Sequence, residues 1–146
     1  MSVPAIREAS TGLPTGTVTF LFTDIEGSTR LLRKLGRDRY GDVLSAHNKL
    51  LRKAFSEAGG LEIDTKGDSF FVVFRSAGAG VAAAGAGQAV LAEHEWPEGA
   101  EVKVRMGLHT GEANVGSDGY VGYAVHKAAR IGDAGHGGQV LVSSTT

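Results

Sequence analysis

Two aspartates stand where a polar ligand could meet them. Asp24 closes the apolar run Val18–Thr23 and is followed by Ile25-Glu26-Gly27-Ser28-Thr29. Asp68 sits in a Gly67-Asp68 turn ahead of the apolar run Ser69–Phe74. A carboxylate delivered by a strand to a Gly-Ser-Thr turn, beside the free N–H groups of a helix start, suits a divalent cation and phosphate oxygens. Taken alone, Asp24 could equally cap the turn. A second carboxylate in a comparable setting favours a hard-cation site for Mg²⁺ or Mn²⁺, of the kind that supports phosphoryl or nucleotidyl transfer with two metals.

The elements that must position them follow from periodicity. Thr17–Thr23 reads as a central strand, with Val18, Phe20 and Phe22 on one face and Leu21 on the other. Ser28 or Thr29 is expected to cap a short helix ended by Gly36, and Asp38 to cap a longer one that stops at Gly59-Gly60. Leu61–Lys66 alternates: Leu61, Ile63 and Thr65 on one face; Glu62, Asp64 and Lys66 on the other. Gly67-Asp68 is a hairpin turn into Ser69–Phe74. Ala77–Glu95 is an alanine- and glycine-rich helix, Val102–His109 a strand, and Thr110–Gly119 a loop or loose hairpin. A helix from Gly122 to about Gly132–Gly135 and a strand Gln139–Val142 complete the order. The central β-α-β-β-α-β part predicts an α+β, ferredoxin-like split βαβ sandwich with an antiparallel sheet. In that topology the first and third strands are neighbours, so Asp24 and Asp68 meet at one end of the sheet. Residues 1–15, with Pro4, Gly12 and Pro14, are expected to form a flexible N-terminal arm, and 16–146 the domain.

Composition narrows the class. The chain has 146 residues, 42% hydrophobic and 21% charged, enough for one domain with a core. A formal net charge of -1 gives no field to favour nucleic acid or a membrane surface. The absence of cysteine removes disulfides and thiolate chemistry, and no export signal or transmembrane-length run is visible, so a cytoplasmic setting is expected. The Gly-Ala-Gly run after Ala77 lacks the Gly-Lys-Ser/Thr of a phosphate loop.

Four segments occur in a telling order: Phe22-Thr23-Asp24-Ile25-Glu26-Gly27-Ser28-Thr29, Lys66-Gly67-Asp68-Ser69-Phe70, Arg105-Met106-Gly107-Leu108-His109-Thr110-Gly111, and His126-Lys127-Ala128-Ala129-Arg130. From about Gly16 to the C-terminus they resemble the class III nucleotidyl (adenylate/guanylate) cyclase catalytic domain, of the small actinobacterial type. The resemblance implies that Asp24 and Asp68, with the Ile25 carbonyl, hold two Mg²⁺ or Mn²⁺ ions. It implies that backbone N–H groups of Glu26, Gly27, Ser28 and Thr29 take the phosphates of a nucleoside triphosphate. Arg130 matches the family's transition-state arginine, whose donor fork suits charge on the α-phosphate. In the family these parts come from opposite subunits, so a head-to-tail homodimer with shared sites is implied.

The sequence departs from the family at the purine end. The position three before the hairpin glycine, Lys in adenylate cyclases and commonly Glu in guanylate cyclases, is Asp64; a carboxylate there fits guanine N1–H and its 2-amino group. Lys66 lies on the same face and could neutralise Asp64. The partner purine position aligns with Gly119, leaving Tyr120 to stack or hydrogen-bond. His126 stands where the family has Asn, one helical turn before Arg130. The family's later strands, with a phosphate-binding lysine, do not follow Thr146. The implied activity is conversion of ATP to 3′,5′-cyclic AMP and pyrophosphate. The alternatives are a guanylate cyclase or a catalytically degenerate nucleotide-binding or dimerisation module. A GGDEF-type dinucleotide cyclase is disfavoured because its hairpin motif is absent.

Overall fold

The computed structural model describes residues 12–146. Alternation of Val18, Phe20 and Phe22 with Thr19, Leu21 and Thr23 makes β1 (Gly16–Ile25) buried on both faces, and it lies at the centre of the sheet. α1 (Ser28–Leu35) and α2 (Arg37–Glu57) lead to the hairpin of β2 (Leu61–Lys66) and β3 (Ser69–Phe74). α3 (Ala77–Glu93) connects to β4 (Val104–Gly116), which turns into β5 (Gly119–Val121). α4 (Tyr123–Ala134) then leads to β6 (Val140–Val142). The sheet order is β2-β3-β1-β4-β5, with β6 parallel to β4, and β1 runs antiparallel to both β3 and β4. This is the expected split βαβ arrangement.

Each sheet face has its own buried cluster. Leu21, Phe70, Phe74, Met106 and Leu108 pack with Leu51 and Phe55 of α2 and Ala83 and Ala84 of α3. On the opposite face Val18, Phe20 and Val73 pack with Ala124 and Ala128 of α4. Gly107 lets α4 touch β4: a Cβ there would lie 2.1 Å from the Gly132 nitrogen and 2.4 Å from its Cα.

Several local expectations are corrected. Gly27, not Ser28 or Thr29, is the N-cap of α1; its φ of 67° is a left-handed conformation that glycine adopts without strain. The N-cap of α2 is Gly36, and Asp38 lies inside its first turn. Of the two expectations for Thr110–Gly119 the hairpin holds and the loop does not: Thr110–Gly116 continues β4, paired with β1 as far as Gly16 and then with β5. A register shift between Glu62 and Asp64 breaks the alternation of β2. In consequence the Thr65 hydroxyl bonds the Glu62 carboxylate, which also takes Arg52 of α2, so Glu62 and Thr65 share a face. Asp64, opposite Phe71, and Lys66, opposite Ser69, lie on the α4 side. Most of the 1–15 arm lies outside the described residues. Pro14 is buried, and its carbonyl accepts the Tyr120 hydroxyl at 2.6 Å.

Candidate active site

The site begins with strand register. β1 and β3 pair Thr23 with Phe70, which brings the hairpin turn alongside the end of β1. There the Ile25 N–H donates to Asp68 Oδ2 at 2.8 Å, tying Asp68 to the residue that follows Asp24. The two carboxylates that stand 44 residues apart in the chain thus share one end of the sheet, as the topology predicts.

Register also places Asp24 opposite Arg105. The guanidinium donates through Nε to Oδ1 at 2.8 Å and through Nη2 to Oδ2 at 2.6 Å, a bidentate pair that is about a quarter exposed on each side. The Asp24 carboxylate raises the Arg105 pKa further, hydrogen bonding outweighing the cost of burial. Arg105 Nη1 also reaches the Asp133 carbonyl at 3.4 Å, linking the pair to α4. Phe22, Asp24, Ser69, Arg105, Gly132 and Asp133 line a small cavity of about 70 Å³ here.

The donor set fits a hard divalent cation. Carboxylate oxygens are the right ligands, and the Ile25–Asp68 bond leaves Asp68 Oδ1 as a second acceptor. Among the described residues no three His, Cys, Asp or Glu side chains gather, so the carboxylate oxygens available at this end of the sheet are those of Asp24 and Asp68. Arg105 already occupies one lone pair on each Asp24 oxygen, so a cation at Asp24 would share the carboxylate with the guanidinium or displace it.

Behind the carboxylates, α2 supplies Tyr40 and His47. The Tyr40 phenol pKa is raised, first by burial and then by the Asp68 charge, against a hydrogen bond with Ser28. His47 is fully buried; its Nδ1 contacts Asn48 Oδ1 at 2.7 Å while its Nε2 has no partner. Burial lowers its pKa, against the raising effects of Asn48 and Asp68.

The phosphate turn differs in detail from expectation. The Glu26 N–H is committed to the Lys103 carbonyl at 2.8 Å, so Glu26 offers no backbone donor. Its side chain accepts the Gly137 N–H at 3.2 Å and faces His136 Nδ1 at 3.6 Å. The N–H groups of Gly27, Ser28 and Thr29, at the start of α1, remain the available donors.

At the purine end, Asp64 and Lys66 form an exposed ion pair at 3.7 Å. Tyr120 is not presented to a ligand: its hydroxyl is held by Pro14, its ring packs edge-on against Phe20 and Phe71, and burial pushes its pKa up to about 12. Gly119, with φ of 113°, has open space on its Cβ side.

His126 and Arg130 are exposed on the outer face of α4 and share a surface hollow of about 500 Å³ with Tyr123, Lys127, Ile131 and Ala134. Neither lines the Asp24 cavity. One chain therefore brings the carboxylates together but keeps Arg130 apart from them.

A family model described as the adenylate and guanylate cyclase catalytic domain matches residues 12–146. The chain belongs to this class III cyclase family. This cyclase domain is 34% identical over 156 residues to an adenylate cyclase of Lachancea kluyveri, covering 90% of the chain and 8% of the relative. It is 33% identical to an uncharacterised protein of Mycobacterium tuberculosis, covering 91% of the chain and 45% of that protein. The chain thus spans less than half the length of these relatives. Adenylate cyclases of Trypanosoma brucei in their monomeric state superpose with a TM-score of 0.83 at 28% identity, over 91% of this chain and 75% of that one. The guanylyl cyclase Cya2 superposes with a TM-score of 0.75 at 25% identity, over 90% and 78%. Among the described residues no helix is long and apolar enough to cross a membrane.

Proposed function

We propose that this domain is a nucleotidyl cyclase that converts ATP to 3′,5′-cyclic AMP and pyrophosphate in a homodimer with shared sites. The ribose 3′-oxygen forms a bond to the α-phosphorus, the α-phosphorus bond to the β-bridging oxygen breaks, and the hydroxyl proton passes to solvent. Asp24 and Asp68, with the Ile25 carbonyl, would hold two Mg²⁺ or Mn²⁺ ions, whose chemistry is to acidify the hydroxyl and neutralise the phosphates. The N–H groups of Gly27, Ser28 and Thr29 orient the β- and γ-phosphates. Arg105, once off Asp24, is placed to pair with phosphate oxygens instead. Arg130 of the other protomer places its donor fork on the charge that gathers at the α-phosphate, with His126 one turn away to position ribose or phosphate.

The observation that carries this reading is the Ile25–Asp68 hydrogen bond, which ties the second hard-donor carboxylate to the residue that follows the first, next to a helix start. The shared site is supported by Arg130 standing on a separate, exposed face. The test is incubation of purified protein with Mn²⁺ and ATP or GTP, followed by assay of cyclic nucleotide and pyrophosphate. Product formation that is abolished by Asp24→Asn supports the enzyme; intact dimers that make no product from either nucleotide overturn it.

Two other readings have specific support. Asp64 on the α4 side of β2 is an acceptor and favours guanine over adenine, so GTP is the alternative substrate. The bidentate hold of Arg105 on Asp24, with Tyr120 committed elsewhere, favours a degenerate binding or dimerisation module. Calorimetric ATP binding without turnover would select that module.

A further inference from the structure

On the outer side of the Glu26–Thr29 turn lies a second cavity, of about 350 Å³, lined by neither Asp24, Asp68 nor Arg105. Buried Leu31 forms part of its wall, and Arg30, Lys34 and Lys103 supply three cations. Arg30 and Lys34 are one turn apart on α1 and face the same way. The Arg30 guanidinium folds back over Gly27, where a Cβ would lie 2.7 Å from Nη2. Lys34 runs along Gly99, whose Cβ would lie 3.6 Å from Lys34 Cε.

Two acids also line the cavity, and each has its own contacts. Glu101 pairs with Lys103 at 3.1 Å. Glu26 takes the Gly137 N–H and faces His136. Among the described residues Arg30 and Lys34 have no ion-pair partner, and the three cations of the lining exceed its two acids by one.

We propose that this cavity is an anion site for a small condensed phosphate, with inorganic pyrophosphate as its occupant. Two cations four residues apart on one helix face, about 6 Å along the axis, offer one cation to each phosphoryl group of a diphosphate, whereas a single phosphate meets one of them. A guanidinium and an ammonium together give a forked and a point contact to phosphoryl oxygens. The binding follows from the cavity itself; only the source of the anion, the leaving group of the reaction, rests on the cyclase reading. On that reading the site holds released pyrophosphate against the turn and makes it a product inhibitor.

The test is titration of the ¹⁵N-labelled full chain with inorganic pyrophosphate in the absence of divalent cations, with inorganic phosphate and with sulfate at matched ionic strength as separate arms. Saturable shifts of the Leu31, Lys34 and Gly99 amides are expected with pyrophosphate, and much weaker ones with phosphate or sulfate. The double variant Arg30→Gln/Lys34→Gln should keep a dispersed spectrum and weaken binding by about tenfold or more. In an active preparation the concentration of pyrophosphate for half-inhibition should rise by a similar factor. Equal titration of variant and parent, shifts confined to Asp24, Gly27–Thr29, Asp68 and Arg105, or an equal response to sulfate would each overturn the proposal. An inactive enzyme with intact pyrophosphate shifts counts against the cyclase reading alone.

Discussion

Arg105 faces Asp24 directly across the β1–β4 pairing and takes both of its carboxylate oxygens. If Asp24 is a metal ligand as proposed, a divalent cation competes with this guanidinium for one carboxylate. Replacing Arg105 with Gln should raise Mn²⁺ affinity several-fold by calorimetry. It should also cost about 0.5–1 kcal/mol in unfolding free energy, since a partly exposed pair is screened. Unchanged or weaker Mn²⁺ binding would show that Asp24 is not a metal ligand.

Asp24 and Arg130 lie on separate surfaces of one chain, so single variants should complement. Asp24→Asn and Arg130→Ala should each lose nearly all activity as homodimers. Mixed and re-equilibrated, half the dimers are mixed and each has one intact site of two, giving about a quarter of the parent rate. No recovery from a preparation shown to contain mixed dimers would place Arg130 outside the shared site.

Substrate choice should turn on Asp64. Exchange for Lys replaces an acceptor with a donor suited to adenine N1. The ratio of kcat/KM for ATP over GTP should rise by roughly tenfold or more, in line with the loss of a site's hydrogen-bonding match to one base. A ratio that does not move would leave Asp64 as a solvated partner of Lys66.

Buried His47 makes stability depend on pH. Its pKa is lowered in the fold, mainly by burial, so the unfolded chain binds more protons below about pH 6.5. Its neutral form contributes fully above that value, and the contribution falls as pH drops from there through the lowered folded pKa. His109 shifts the same way, through burial and Lys127. The melting temperature should drop between pH 7 and pH 5, and His47→Leu should reduce the drop. An identical pH profile in the variant would discharge His47 from this role.

Gly107 carries the contact between β4 and α4. A Cβ there meets backbone atoms of Gly132, which cannot swing aside. Gly107→Ala should cost about 2 kcal/mol or more in urea unfolding. A loss below about 0.5 kcal/mol would mean that α4 shifts freely over the sheet.

The legible parts of the sequence were those written in local periodicity. The two-faced apolar runs of β1 and β3 announced central strands, and the split βαβ order made them neighbours and so brought Asp24 and Asp68 to one end of the sheet. The i,i+4 placement of His126 and Arg130 also survived. What escaped depended on contacts remote in sequence. Arg105 pairs with a residue 81 positions away, and only register reveals it. The break in β2 that sends Thr65 to Glu62 leaves no mark in an alternating string. Gly27 displaced Ser28 as the cap because the turn needs a left-handed residue. Tyr120 looked free until Pro14, from a segment read as an arm, claimed its hydroxyl.

Keeping the carboxylates on one surface and Arg130 on another has a consequence for dosage. If each site needs two chains, a single molecule is silent, and below the dimer dissociation constant output grows with the square of protein concentration. A twofold rise in expression would then give close to a fourfold rise in cyclic nucleotide, so abundance itself can set the signal threshold.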